Sequence, residues 1–157
     1  MGDKFGAKLD AALEEHERVQ KLREQARDKS QADLEQFTSD FIAARDGLFT
    51  SAFEKMADQL RTRGYEARYT ILDEFPKRAG GATPPSSITF TFSTPGSVSA
   101  NFLKIYADIH RRAVMIDETS NQIGHGGSQT TGPYPISKVT AEFLEQRIVK
   151  LFTKSIA

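Results

Sequence analysis

No proline occurs before Pro76, and between Gly6 and Gly64 only Gly47 interrupts a run of helix-compatible residues. Proline removes a backbone donor and clashes with the preceding helical turn, and glycine weakens a helix interior. A stretch of 64 residues almost free of both is committed to helix. Past Gly64 the texture changes to β-branched and aromatic runs separated by Pro and Gly turns. The chain of 157 residues therefore divides into residues 1–64, a helical arm or hairpin, and residues 65–157, an α+β domain. The helix over 32–62 is expected to fold with that domain as one cooperative unit.

Within the first part, Phe5, Leu9, Ala12, His16, Val19 and Ala26 follow a coiled-coil-like 3.5-residue repeat, weakened by alanine and histidine at seam positions. The other positions are densely charged, and Glu14–Arg18 and Glu17–Lys21 have the spacing of helical ion pairs. Ser30, with Asp33 three residues on, has the form of a helix start, so the helix either breaks over Asp28–Asp33 or runs through it. From Leu34 the pattern strengthens. Leu34, Phe37, Phe41, Leu48, Phe49, Phe53, Met56 and Leu60 form an apolar face too broad for a single helical neighbour, which predicts an oligomer interface there. Gly64 stands where a helix C′ glycine belongs, behind Arg61 and Arg63.

In the second part, Tyr65–Phe75 reads as a strand stopped by Pro76. Ser87–Ser93 alternates without error, with Ile88, Phe90 and Phe92 inward. Strands are also expected over Phe102–His110 and Arg111–Thr119, then a long polar loop over Asn121–Pro135. A helix follows to about Lys154, capped by Ser137 or Thr140. The expected fold is α+β: a long N-terminal helix or hairpin, a four-stranded antiparallel meander and a C-terminal helix packed on the sheet.

If Leu103, Ile105, Ala107 and Ile109 point inward, Phe102, Lys104, Tyr106, Asp108 and His110 point outward, joined by Arg68, Thr70, Thr89 and Thr91. That face is a plain solvated surface, a partner surface or a small-molecule site. Its aromatics favour a partner over a pocket. His110, Arg111 and Arg112 make the most compact basic spot, at an expected hairpin tip.

The remaining motifs are weak. Gly124-His125-Gly126-Gly127-Ser128 lacks the Lys-Ser/Thr of a phosphate loop, and Gln129 stands where a dinucleotide fingerprint needs glycine. Asp73-Glu74 and Asp117-Glu118 are acid pairs, but neighbours on a strand face opposite ways. No serine has a recognisable His/Asp arrangement. His16, His110 and His125 share no metal-ligand spacing, and the chain has no cysteine, which excludes disulfides and thiolate chemistry. No metal or other cofactor is expected.

Lys and Arg number 21, as do Asp and Glu, for a net charge of zero. Residues 1–64 carry 11 basic against 13 acidic residues (−2), and residues 65–157 carry 10 against 8 (+2), so a nucleic-acid role is disfavoured. No apolar run reaches the ~18 residues of a membrane span, and the N-terminus lacks both a signal-peptide pattern and a myristoylation pattern. These readings predict a cytoplasmic, non-enzymatic interaction module, homodimeric through its N-terminal helices, with a possible protein partner. The alternatives are a small-molecule-binding domain with the 121–135 loop as lid, and an enzyme built on Asp108, His110 or Tyr106.

Overall fold

A computed structural model describes residues 2–72, 86–95, 100–120 and 127–156. Helix α1 spans Gly2–Ala44, a π-helical turn covers Arg45–Phe49, and α2 spans Thr50–Thr62. Strands follow: β1 (Glu66–Leu72), β2 (Ser87–Ser93), β3 (Asn101–Asp108), β4 (Ala113–Ser120) and β5 (Gly127–Tyr134). A 3₁₀ turn, Ile136–Lys138, leads into α3 (Ala141–Ile156). The chain forms two compact units, residues 1–36 and 37–157.

The first unit is helix alone. No break occurs over Asp28–Asp33, because neither proline nor glycine stands there to enforce one and the capping residues compete weakly with a continuous ladder. The ion pair formed is Glu15–Arg18, one turn apart, rather than the expected Glu14–Arg18 and Glu17–Lys21 pairs. Gln31 donates to Glu35 at 3.2 Å.

The second unit is two-layered. All five strands pair antiparallel in the order β1-β2-β3-β4-β5, and the expected four-strand meander is corrected by one strand. The fifth lies in the segment read as a polar loop. Its Gly-Ser-Gln-Thr-Thr-Gly-Pro-Tyr run has no apolar alternation and pairs with β4 largely through backbone. A bulge sets two residues of β5, Gly132 and Pro133, against one of β4, Met115, between the pairs Thr131–Ile116 and Tyr134–Val114. Gly132 occupies the bulge at φ +119°, and a Cβ there would stand 2.9 Å from the Val114 carbonyl oxygen, so only glycine fits. The third strand ends at Asp108 rather than His110, and Ile109–Arg112 is the turn. Residues 73–75 and 121–126, parts of the expected first strand and loop, lie outside the described residues.

The inner sheet face carries Ile88, Phe90, Phe92, Leu103, Ile105, Ala107, Val114 and Ile116, all buried. This settles the inward face of β4, which alternation alone leaves open. Helix α3 adds Leu144, Ile148 and Leu151, spaced four and three residues apart on one face. Thr140 caps it, accepting from the Phe143 backbone N–H at 3.2 Å. Phe41, Phe49 and Phe53 complete the core, and rings run in sequence from Phe53 to Phe90 (5.2 Å between centroids), Phe92 (5.9 Å) and Phe152 (6.0 Å). Each fully buried ring is worth roughly 1.5–3 kcal/mol relative to exposure.

Helix α2 ends as its sequence predicts. Gly64, at φ +88°, donates to Arg61 O at 3.0 Å and Tyr65 donates to Leu60 O at 3.0 Å, the paired bonds of a Schellman cap. Upstream, the π turn buries both Arg45 and Phe49. Arg45 donates to Ser86 Oγ at 2.8 Å and Leu72 O at 3.3 Å, tying the end of β1 to the start of β2.

Candidate interaction surfaces

Strand alternation places Phe102, Lys104, Tyr106 and Asp108 on the outer face of β3, opposite the core. The registers extend rows of side chains across the sheet. Thr70, Thr89, Lys104, Asp117 and Thr130 form one row, and Arg68, Thr91, Phe102, Thr119 and Ser128 form the next. Arg68, Thr70, Thr89 and Thr91 thus join the expected face.

The rows are knitted by hydrogen bonds. Thr130 donates to Asp117 at 2.7 Å, and the Thr119 and Ser128 hydroxyls lie 3.0 Å apart. The Lys104 ammonium stands 5.5 Å from the centre of the Tyr106 ring. Burial of the Tyr106 phenol, then the carboxylates of Asp117 and Asp108, hold its pKa above the ordinary 10.0, opposed by Arg111. A phenol that keeps its proton can donate a hydrogen bond. Phe102 keeps 40% of its surface exposed.

The turn after β3 is organised by Asp108, whose carboxylate accepts from the backbone N–H of His110 (3.1 Å) and Arg111 (3.2 Å) and lies 3.7 Å from the Arg111 guanidinium. Arg112 adopts φ +48°. His110, Arg111 and Arg112 are all exposed at this tip. Asp108 offsets part of their charge, so the tip suits an acidic side chain on a partner better than an extended polyanion.

The eight apolar residues expected at an oligomer interface divide by burial. Phe37, Phe41, Phe49, Phe53 and Met56 lie inside the core of the second unit, and Leu60 packs at its edge. Leu34 is half-buried and Leu48 is 41% exposed. Four large apolar residues earlier on α1 are also bare: Phe5 at 74% exposure, Leu9 and Leu13 at 50%, and Leu22 at 53%. Between Lys4 and Gln36 only Gly6, Val19 and Leu34 are even half-buried.

Sequence reasoning missed a half-buried polar cluster beneath the inner sheet face, built on the buried Glu118. Arg147 of α3 donates to Glu118 (3.0 Å), to Thr131 (3.3 Å) and to the Tyr134 hydroxyl. Its guanidinium lies 5.0 Å from the Phe143 ring centre and 5.7 Å from that of Tyr134. Glu118 is 29 residues from Arg147, so no local spacing announces the pair. A small pocket of about 240 Å³ adjoins it, lined by Glu118, Ser120, Gln129 and Lys154 among others. A larger groove of about 620 Å³ runs between α2 and α3 past Leu60, Arg63, Tyr65, Ile148 and Phe152.

Among the described residues, no three His, Asp or Glu side chains gather as metal ligands, and no helix is long and apolar enough to cross a membrane. Set against protein-family models, the curated proteins and the solved structures, the chain matches none of them.

Proposed function

We propose that this chain is a self-associating interaction module: residues 4–36 of α1 bind a second copy, and the α+β unit offers its outer sheet face and His110–Arg112 turn to a protein partner. One observation carries the reading. A helix of about 50 Å bears Phe5, Leu9 and Leu13, four residues apart in one row, with half or more of each side chain bare, and Leu22 bare on another side. Helical stability in proteins comes chiefly from packing an apolar stripe against a neighbour, and such a stripe exposed to water draws one in. Sedimentation velocity at micromolar concentration tests it. The expected mass is about twice 17.5 kDa, falling to the monomer value in Phe5→Ser/Leu9→Ser/Leu13→Ser. A compact monomer for the unaltered chain overturns the reading.

A second reading, small-molecule binding, has the pocket beside Glu118, Gln129 and Lys154 in its favour. At about 240 Å³ it lies below the usual ~300–1,000 Å³ of ligand sites. A metabolite that raises the melting temperature, and fails to do so in Gln129→Ala, would establish it.

A further inference from the structure

The exposed helix carries its charge in two opposed blocks. From residue 10 to residue 17 every charge is negative: Asp10, Glu14, Glu15 and Glu17. From residue 18 to residue 29, Arg18, Lys21, Arg23, Arg27 and Lys29 outweigh Glu24 and Asp28, for a net of 5 − 2 = +3. All these side chains are exposed. The boundary falls between Glu17 and Arg18.

We infer that two copies of this helix pair antiparallel about a twofold axis near Glu17 and Arg18, so that each acidic block lies along the partner's basic block; the inference rests on the proposed self-association. The orientation follows from self-complementarity. A parallel pair sets the acidic blocks side by side and the basic blocks side by side, and like charges at that range repel. An antiparallel pair reverses every one of those contacts. Lys8 falls opposite both Arg27 and Asp28 of the partner subunit, which nearly cancel.

The seam agrees. In antiparallel pairing about that axis, residues whose numbers sum to 35 share a layer. The repeat then matches Leu9 with Ala26, His16 with Val19, and Phe5 with Ser30, large against small in the first and last layers. Arg23 meets Ala12, whose small side chain leaves room for the aliphatic stem of arginine while its head reaches water. Parallel in-register pairing instead sets Arg23 against Arg23 and His16 against His16 at the centre of the seam, two like-charge or polar contacts in the least solvated positions.

The chain has no cysteine, so each substitution introduces a single thiol. Antiparallel pairing predicts that Ala12→Cys and Arg23→Cys, oxidised separately, form little disulfide, and that mixing them gives a covalent heterodimer. Spin labels on Ala32→Cys, on the helix side opposite the seam, provide a second measurement that leaves the seam intact. Pulsed electron resonance should read about 45 Å from the 1.5 Å rise, against about 20 Å, two helix diameters, for a parallel pair. Ready self-crosslinking of Ala12→Cys, or any label separation other than the long one in a dimeric sample, overturns the orientation and leaves self-association standing. A monomer by sedimentation overturns both.

Discussion

The Glu118–Arg147 pair lends itself to a quantitative test, because its two members are unequally provided for. Glu118 is 7% exposed and the Arg147 side chain 22%. Replacing Arg147 with Met keeps the stem but strands a buried carboxylate beneath the sheet. Removing one partner of a buried pair costs about 3–5 kcal/mol, and the partial exposure of Arg147 places this change near the lower end, about 3 kcal/mol. Replacing Glu118 with Leu is milder. The guanidinium keeps Thr131 and the Tyr134 hydroxyl as acceptors, two aromatic faces and an opening to water. Losing one charge-assisted bond under those conditions is worth about 1.5 kcal/mol. The double variant has neither an orphaned charge nor a lost partner, so it should fall near about 1.5 kcal/mol, giving a coupling of roughly 3 kcal/mol by the double-mutant cycle. Urea unfolding followed by circular dichroism measures each term, and about 3 kcal/mol corresponds to a drop of roughly 6–12 °C in Tm at this chain length. Equal losses for the two single variants, or a coupling under about 0.5 kcal/mol, would refute the asymmetry argued from burial.

Three further outcomes follow from the geometry. Phe41→Ala, which empties a fully buried site, should destabilise by about 3–5 kcal/mol, whereas Phe5→Ala should leave the unfolding of the α+β unit within about 0.5 kcal/mol and change only the association constant; calorimetry at two concentrations separates them. Gly64→Ala meets no atom within 4 Å and bears only the strain of φ +88°, about 1 kcal/mol, while Gly132→Ala adds a 2.9 Å clash with Val114 O and should lose at least twice as much in chemical denaturation. The raised pKa of Tyr106 means that its contribution to stability is present below the unfolded value of 10.0 and is lost as pH climbs through the folded one. Asp117→Asn should move its phenolate titration at 295 nm to lower pH yet not fully to 10.0, since burial, the largest cause, remains; an unmoved or upward titration would contradict the contact.

The legible parts of the fold were those with strong local periodicity. Strand β2 alternates strictly, and its parity sets the outer faces of β1 and β3, down to Arg68, Thr91 and Phe102 in one row. The cap at Gly64 was readable because a left-handed residue after basic positions has few other meanings. Strand β5 was not, since all its side chains but Thr131 and Tyr134 face water and its partner is chosen by the backbone of β4 and by Thr130 reaching Asp117. The ridge from Phe37 to Met56 shows why an apolar face reveals how much it needs covered but not which element covers it. Its rings are sheathed by the sheet and α3 of the same chain. The unbroken helix through Ser30 shows that capping residues mark a start only where the ladder is already interrupted.

The π turn at Arg45–Phe49 constrains its two ends and leaves its middle open, since Arg45 and Phe49 are buried. A side chain at position 47 would meet nothing within 4 Å, so many amino acids fit. A π turn holds one residue more than the α-helical turn it replaces, so deleting Gly47 should regularise the helix and leave Phe37 and Phe41 in register with Phe53. Natural or engineered variants of this chain should therefore vary freely at position 47 while keeping Arg45 and Phe49, the buried ends of the turn.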